Sequence, residues 1–159
     1  MKTNAAFHIY NASAGSGKTF TLVKEYCKRV LTSKYEGDYS KLLAITFTNK
    51  AVTEMKSRIL STLVSFSKPE ILQQPTPMLL TIASETDRKP EQLHSTAKLV
   101  VKHILHHYAN FSVETIDRFN HQLLRTFARD LKLSSTFEVS LDTPLLLDEA
   151  VDRLISNAG

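Results

Sequence analysis

Residues 12–19, Ala12-Ser13-Ala14-Gly15-Ser16-Gly17-Lys18-Thr19, decide how this chain is read. They follow a short apolar run, Phe7, Ile9 and Tyr10, and open a stretch in which Leu22, Val23, Tyr26, Cys27 and Val30 recur at helical spacing. The order this predicts is strand, loop, helix. A phosphate chain carries several negative charges, and holding it requires backbone N–H groups that converge without side chains in the way. Ala12, Ala14, Gly15, Ser16 and Gly17 meet that need. A helix starting near Lys18 aims its positive dipole end at the same point, Lys18 can reach the terminal phosphates, and the Thr19 hydroxyl can ligate Mg²⁺. The pattern G-x-x-x-x-G-K-[ST] is kept except at Ala12, where it asks for Gly.

With 159 residues, 42% of them hydrophobic, the chain is about one domain long and can bury a core. The charge is uneven. Residues 1–80 hold 11 basic and 5 acidic groups, net +6, whereas residues 81–159 hold 9 and 11, net −2. A basic half around a phosphate loop suits a polyphosphate or nucleic-acid partner. Cys27 is the one cysteine, so an internal disulfide is excluded; its place on the apolar face of the first helix predicts core packing. No run reaches the roughly 20 apolar residues of a membrane span, and the N-terminus lacks a signal-peptide core, so a cytosolic (cytoplasmic) location is expected.

Along the chain, the first helix is expected from Lys18 to Leu31 and a break from Tyr35 to Ser40. Leu42-Leu43-Ala44-Ile45, ending in Thr46-Phe47-Thr48, reads as a strand buried on both faces of a parallel sheet. Thr48 or Asn49 caps a second helix with Val52, Met55, Ile59 and Leu63 on one stripe and Glu54 paired to Arg58. Residues 67–90 are rich in Pro, Gln and Thr and read as irregular. Pro90 starts a long amphipathic helix (Leu93, Ala97, Val100, Val101, Ile104, Leu105, Tyr108). Phe111–Thr115 reads as a strand, Ile116–Leu131 as a helix, and Pro144 opens a last helix through Ile155.

The block Thr46-Phe47-Thr48-Asn49-Lys50-Ala51 falls where a parallel strand becomes a helix, the edge at which open α/β sheets bind ligands. An apolar Phe47 exposed there needs a partner. A nucleobase is a good one, since stacking contributes roughly 1–3 kcal/mol per base. The Thr46 and Thr48 hydroxyls and the Asn49 amide can donate to phosphates. The competing reading makes Phe47 core and Asn49 a plain helix cap.

Three ordered segments, ASAGSGKTF at 12–20, LLAITFTNKAVTEMKSRI at 42–59 and TIDRFNHQLLRTF at 115–127, resemble the amino-terminal part of the UvrD/Rep superfamily-one DNA helicases. The loop spelling and the wide gap between the last two segments look most like the RecB/AddA helicase-nuclease branch. The resemblance covers about residues 5–155. It implies an α/β P-loop NTPase fold of RecA-like type, a parallel sheet with flanking helices, incomplete and carrying helical insertions. Residues 1–141 would form the N-terminal part of the ATP-binding domain, with 67–110 a helical insertion, and 142–159 would begin an inserted helical subdomain. It further implies ATP and Mg²⁺ as cofactors and single-stranded DNA as partner. Ala12, Ser13, Ala14, Gly15, Ser16, Gly17, Lys18, Thr19 and Phe20 would bind the nucleotide, with Lys18 catalytic and Thr19 on Mg²⁺. Thr46, Phe47, Thr48, Asn49, Thr115 and Phe119 would line the DNA track. Members of the UvrD branch carry a Gln ahead of the loop to read adenine, and Phe7-His8-Ile9-Tyr10 offers none. The second acidic motif and arginine finger would lie beyond residue 159, so the chain reads as a fragment of a helicase of DNA repair or recombination, with a nuclease or helicase partner subunit in the parent.

Other readings stay open. Leu145-Leu146-Leu147-Asp148-Glu149 resembles an apolar strand ending in a Mg²⁺-holding Asp and a water-orienting Glu, but Thr143-Pro144 and the four-residue repeat favour helix. Asn49-Lys50-Ala51-Val52 lacks the acid that guanine recognition needs. His103, His106 and His107 share a helix face at metal-ligand spacing, but no fourth ligand is near and a solvated His-rich face fits better. A small P-loop kinase and a non-catalytic nucleotide- or DNA-binding module are the rival functions. An unpaired Phe7–Tyr10 strand would invite self-association.

Overall fold

The structure, a computed structural model, describes residues 7–10, 17–132 and 143–157. It divides into two compact units, Met1–Ile116 and Asp117–Gly159.

The first unit is built from helices whose apolar stripes meet. Helix α1, Lys18–Thr32, buries Val23, Tyr26, Cys27, Val30 and Leu31, the face its periodicity marks out. A 3-10 turn at Asp38–Lys41 then leads into strand β1, Ala44–Thr46. Helix α2, Asn49–Ser67, starts where expected because the Thr48 hydroxyl oxygen accepts from the Ala51 N–H at 3.1 Å. It buries Met55, Ile59, Leu63 and Phe66, while Glu54 and Arg58 pair on its surface at 2.7 Å.

The stretch 67–90, expected to be irregular, is largely helical. Helix α3 spans Glu70–Gln73 and helix α4 Pro77–Thr86. The composition misleads because Pro77 occupies the first helical position, where its missing N–H is no loss, and Thr76 caps it by accepting from Leu79 N–H at 3.4 Å. Leu79 and Ile82 then anchor α4 in the core. Asp87, at φ 55°, turns the chain so that the Arg88 guanidinium donates to the carbonyls of Leu31 and Thr32, each at 3.1 Å. These are end carbonyls of α1, which have no partner inside their own helix.

Helix α5, Pro90–His106, is held at its start by the Gln92 side chain, which accepts from Lys89 N–H at 3.0 Å. Leu93, Ala97, Val100 and Ile104 are buried, and α5 packs chiefly on α2. Each such aliphatic side chain contributes about 1.5–3 kcal/mol by leaving water. Strand β2, Val113–Thr115, pairs parallel with β1 in the register Ala44 with Val113, Ile45 with Glu114 and Thr46 with Thr115.

Two strand expectations are corrected. Phe7–Tyr10 forms neither strand nor helix, and Phe7 and Ile9 are each 79% exposed. A strand is stable only when neighbours take up its backbone groups, and the one sheet among the described residues has just β1 and β2. For the same reason β1 is covered on one face, not both: Ala44 packs against the core while Ile45 is 43% exposed. The architecture is therefore mixed α/β, mainly helical, around a small parallel sheet.

In the second unit α6, which begins at the junction, spans Ile116–Thr126, shorter than the expected Ile116–Leu131; turns carry the chain on to Lys132, at φ 56°. Helix α7 spans Thr143–Asn157, as the Thr143-Pro144 start implies. Leu145–Leu147 is thus helix, and the alternative reading of that run as an acidic-motif strand fails.

Candidate functional site

Ala12, Ser13, Ala14, Gly15 and Ser16 lie outside the described residues. The residues after them fit an anion. Gly17 is left-handed, φ 81°, with open space where a Cβ would stand, so backbone conformation rather than room demands glycine there. As N-cap it brings no side chain to the first N–H groups of α1, and no acid occupies the first turn. Those amides and the dipole's positive end are left for an external anion, with the exposed Lys18 and half-buried Thr19 beside them. The donor set suits a phosphate chain, and a hydroxyl at 19 suits Mg²⁺. Phe20 is half exposed and walls a groove of about 360 Å³ with Ser61, Ser65, Phe66, Thr76 and Met78.

The second cluster lies at the carboxyl edge of the sheet. Thr46 and Thr115 are register partners, each the last residue of its strand. Phe47 comes directly after Thr46 and is 85% exposed, which forfeits about 2–3 kcal/mol that burial of the ring would yield. The Thr46 hydroxyl donates to the Thr48 carbonyl at 3.2 Å, tightening the turn, while the Thr48 hydroxyl caps α2 and keeps its own proton to donate. Asn49 and Lys50 are exposed in the first turn of α2. The fold thus brings Thr46, Phe47, Thr48, Asn49 and Thr115 to one edge. Phe119, in the first turn of α6, is half-buried within the second unit.

Part of the basic surplus near the loop is already engaged. Lys24 and Lys28 of α1 both reach Glu25 and, across to α4, Glu85; the Lys28 contacts are 2.7 Å each. Burial works against both ammoniums, yet the hydrogen bonds and charges of the two glutamates raise them above the ordinary lysine value. Lys24 and Lys28 in turn hold the Glu85 carboxyl below its usual range. No sequence signal marks this bridge, because Glu85 lies far along the chain within the supposedly irregular stretch.

The remaining motifs do other things. His103 sets its Nδ1 3.0 Å from the hydroxyl of the buried Tyr39 and stacks on His107 with ring centres 4.4 Å apart, while His106 is exposed. Among the described residues no three metal-binding side chains converge. Asp148 and Glu149 are exposed on α7, and Glu149 pairs with Arg153 at 2.6 Å. Cys27 is fully buried, and burial pushes its thiol up to about 12. No helix among the described residues is long and apolar enough to cross a membrane.

The UvrD/REP helicase N-terminal domain family matches residues 3–157. The AddA chain of the ATP-dependent helicase/nuclease of Bacillus pumilus is 32% identical over 148 residues, 92% of this chain and 10% of that protein. The proteins of the same name from Bacillus cytotoxicus and Bacillus cereus are each 30% identical over 146 residues, 91% of this chain and 10% of theirs. The chain spans about a tenth of the length of these curated relatives. No solved structure matches.

Proposed function

Because the chain belongs to the UvrD/REP helicase N-terminal domain family, we propose that it is the nucleotide- and DNA-binding beginning of an ATP-dependent DNA helicase or translocase. In this reading residues 1–141 belong to a RecA-like domain with 67–110 inserted, and 142–159 open a helical subdomain. The parent acts in DNA repair or recombination in the cytoplasm. It works with a partner chain, a reading supported by the relatives' being named as one subunit of a helicase/nuclease.

Residues 12–20 would hold Mg·ATP: the loop amides and Lys18 on the phosphates, the Thr19 hydroxyl on Mg²⁺. Bound ATP would supply the phosphoryl-transfer energy that drives stepping. Phe47 would stack on an unpaired base while Thr46, Thr48, Asn49 and Thr115 donate to the backbone, with Phe119 adding to the track. Asp148 and Glu149 take no catalytic part, since they stand on a helix.

The observation that carries the DNA reading is Phe47, 85% exposed at the edge where the two strand-end threonines meet. A kinase or a plain nucleotide-binding module gives no reason for a bare aromatic ring at that position. Fluorescence anisotropy with labelled single-stranded DNA tests it: salt-sensitive binding that Phe47→Ala weakens supports the reading. Equal binding by wild type and variant overturns the assignment of Phe47.

A further inference from the structure

Strand β1 has one edge in its ladder and one outside it. Ala44 N–H donates to the Ser112 carbonyl at 3.1 Å, and in a parallel ladder the alternation turns the N–H and C=O of Ile45 to the opposite edge. No strand lies there among the described residues. Along that edge runs a groove of about 370 Å³, walled by Leu22 and Tyr26 of α1, by Leu43 and Ile45 of β1 and by Met55 of α2. Tyr26 is 94% buried, and its hydroxyl has no hydrogen-bond partner among the described residues. A buried hydroxyl left this way costs about 1–3 kcal/mol.

An open strand edge beside an apolar trough selects an apolar segment that can lie extended, whose carbonyls also offer the acceptor Tyr26 lacks. This chain carries one. Phe7-His8-Ile9-Tyr10 alternates so that Phe7 and Ile9 share a face, is in no sheet, and leaves Phe7 and Ile9 79% and Tyr10 52% exposed.

We propose that the free edge of β1 and its groove receive residues 7–10 of a second copy of this chain, reciprocally, in a twofold dimer. Three such side chains offer on the order of 400 Å² per arm. Two arms and their two grooves together bury roughly 1,600 Å², the size of a standard stable interface. The exchange satisfies the Ile45 backbone and covers the Ile45 and Leu43 side chains in one step.

Sedimentation velocity over a wide concentration range tests this on the whole chain. The wild type should pass from monomer to dimer as concentration rises. Ile45→Lys in the groove and Ile9→Asp in the arm should each raise the dimer Kd by at least about tenfold. Both positions are exposed, so circular dichroism should be unchanged. Mixing the two variants should restore a heterodimer, because an intact arm of one meets an intact groove of the other, a recovery that misfolded variants would not give. A wild type that stays monomeric throughout, a dimer indifferent to both substitutions, or no recovery on mixing overturns the proposal. Nucleotide and DNA binding are separate readouts, so loss of this dimer leaves the helicase reading untouched.

Discussion

Thr46 and Thr115 stand side by side as the last residues of two parallel strands, although four helices lie between them in the chain. That pairing sets two hydroxyl-bearing strand ends at one sheet edge and fixes the base from which Phe47 projects.

Phe47→Ala should separate binding from folding. With the ring 85% exposed, its removal should change stability by no more than about 0.5 kcal/mol. Loss of a stacked base should weaken single-stranded DNA binding by roughly 1–3 kcal/mol. Thermal melts and anisotropy titrations on the same protein read the two effects.

Lys18→Ala should leave the melting temperature of the apo chain nearly unchanged, since the side chain is exposed. Titration calorimetry with Mg·ADP should show affinity reduced at least about tenfold, the loss of one charge-assisted phosphate contact. An unchanged affinity would mean that the nucleotide does not use this loop.

Arg88→Ala should be among the costliest surface changes. Arg88 donates to Leu31 and Thr32 carbonyls at the end of α1, and hydrogen bonds from charged donors contribute about 1.5–3 kcal/mol. Urea denaturation should register a loss of that size, and Arg88→Lys, without the fork, should recover only part of it.

Glu85→Gln tests the bridge from α4 to α1. Lys24 and Lys28 lower the Glu85 carboxyl from its ordinary value of 4.5, so its contribution is present above that pH and disappears as the pH falls through the lowered value. Its side chain is 32% exposed, which limits the effect at neutral pH to about 0.5–1 kcal/mol. Wild type and variant should therefore converge in stability at low pH.

Cys27 should be inert in the native state. Its thiol, pushed up to about 12 by burial, stays protonated at pH 8 and should react with a maleimide only as fast as the core opens. Denaturant should abolish the protection. Rapid labelling under native conditions would contradict the packing of α1.

Helices α1, α2, α5 and α7 were legible in the sequence because their determinants are local: a stripe recurring every three to four residues, Thr48 as a cap, Pro90 and Pro144 at helix starts. Lys18 and Thr19 at the mouth of α1 were legible for the same reason, since a phosphate loop needs small residues at fixed spacing. Helix α4 was missed where composition outweighed position: one Pro read as a breaker becomes a starter when a Thr precedes it. Only tertiary structure decided that Thr46 meets Thr115, that Arg88 closes α1, that Glu85 takes up Lys24 and Lys28, and that Phe7–Tyr10 stays out of the sheet. Each of those depends on which distant segment supplies a hydrogen-bond or ion partner, and the spacing of residues along one segment carries no information about its partner.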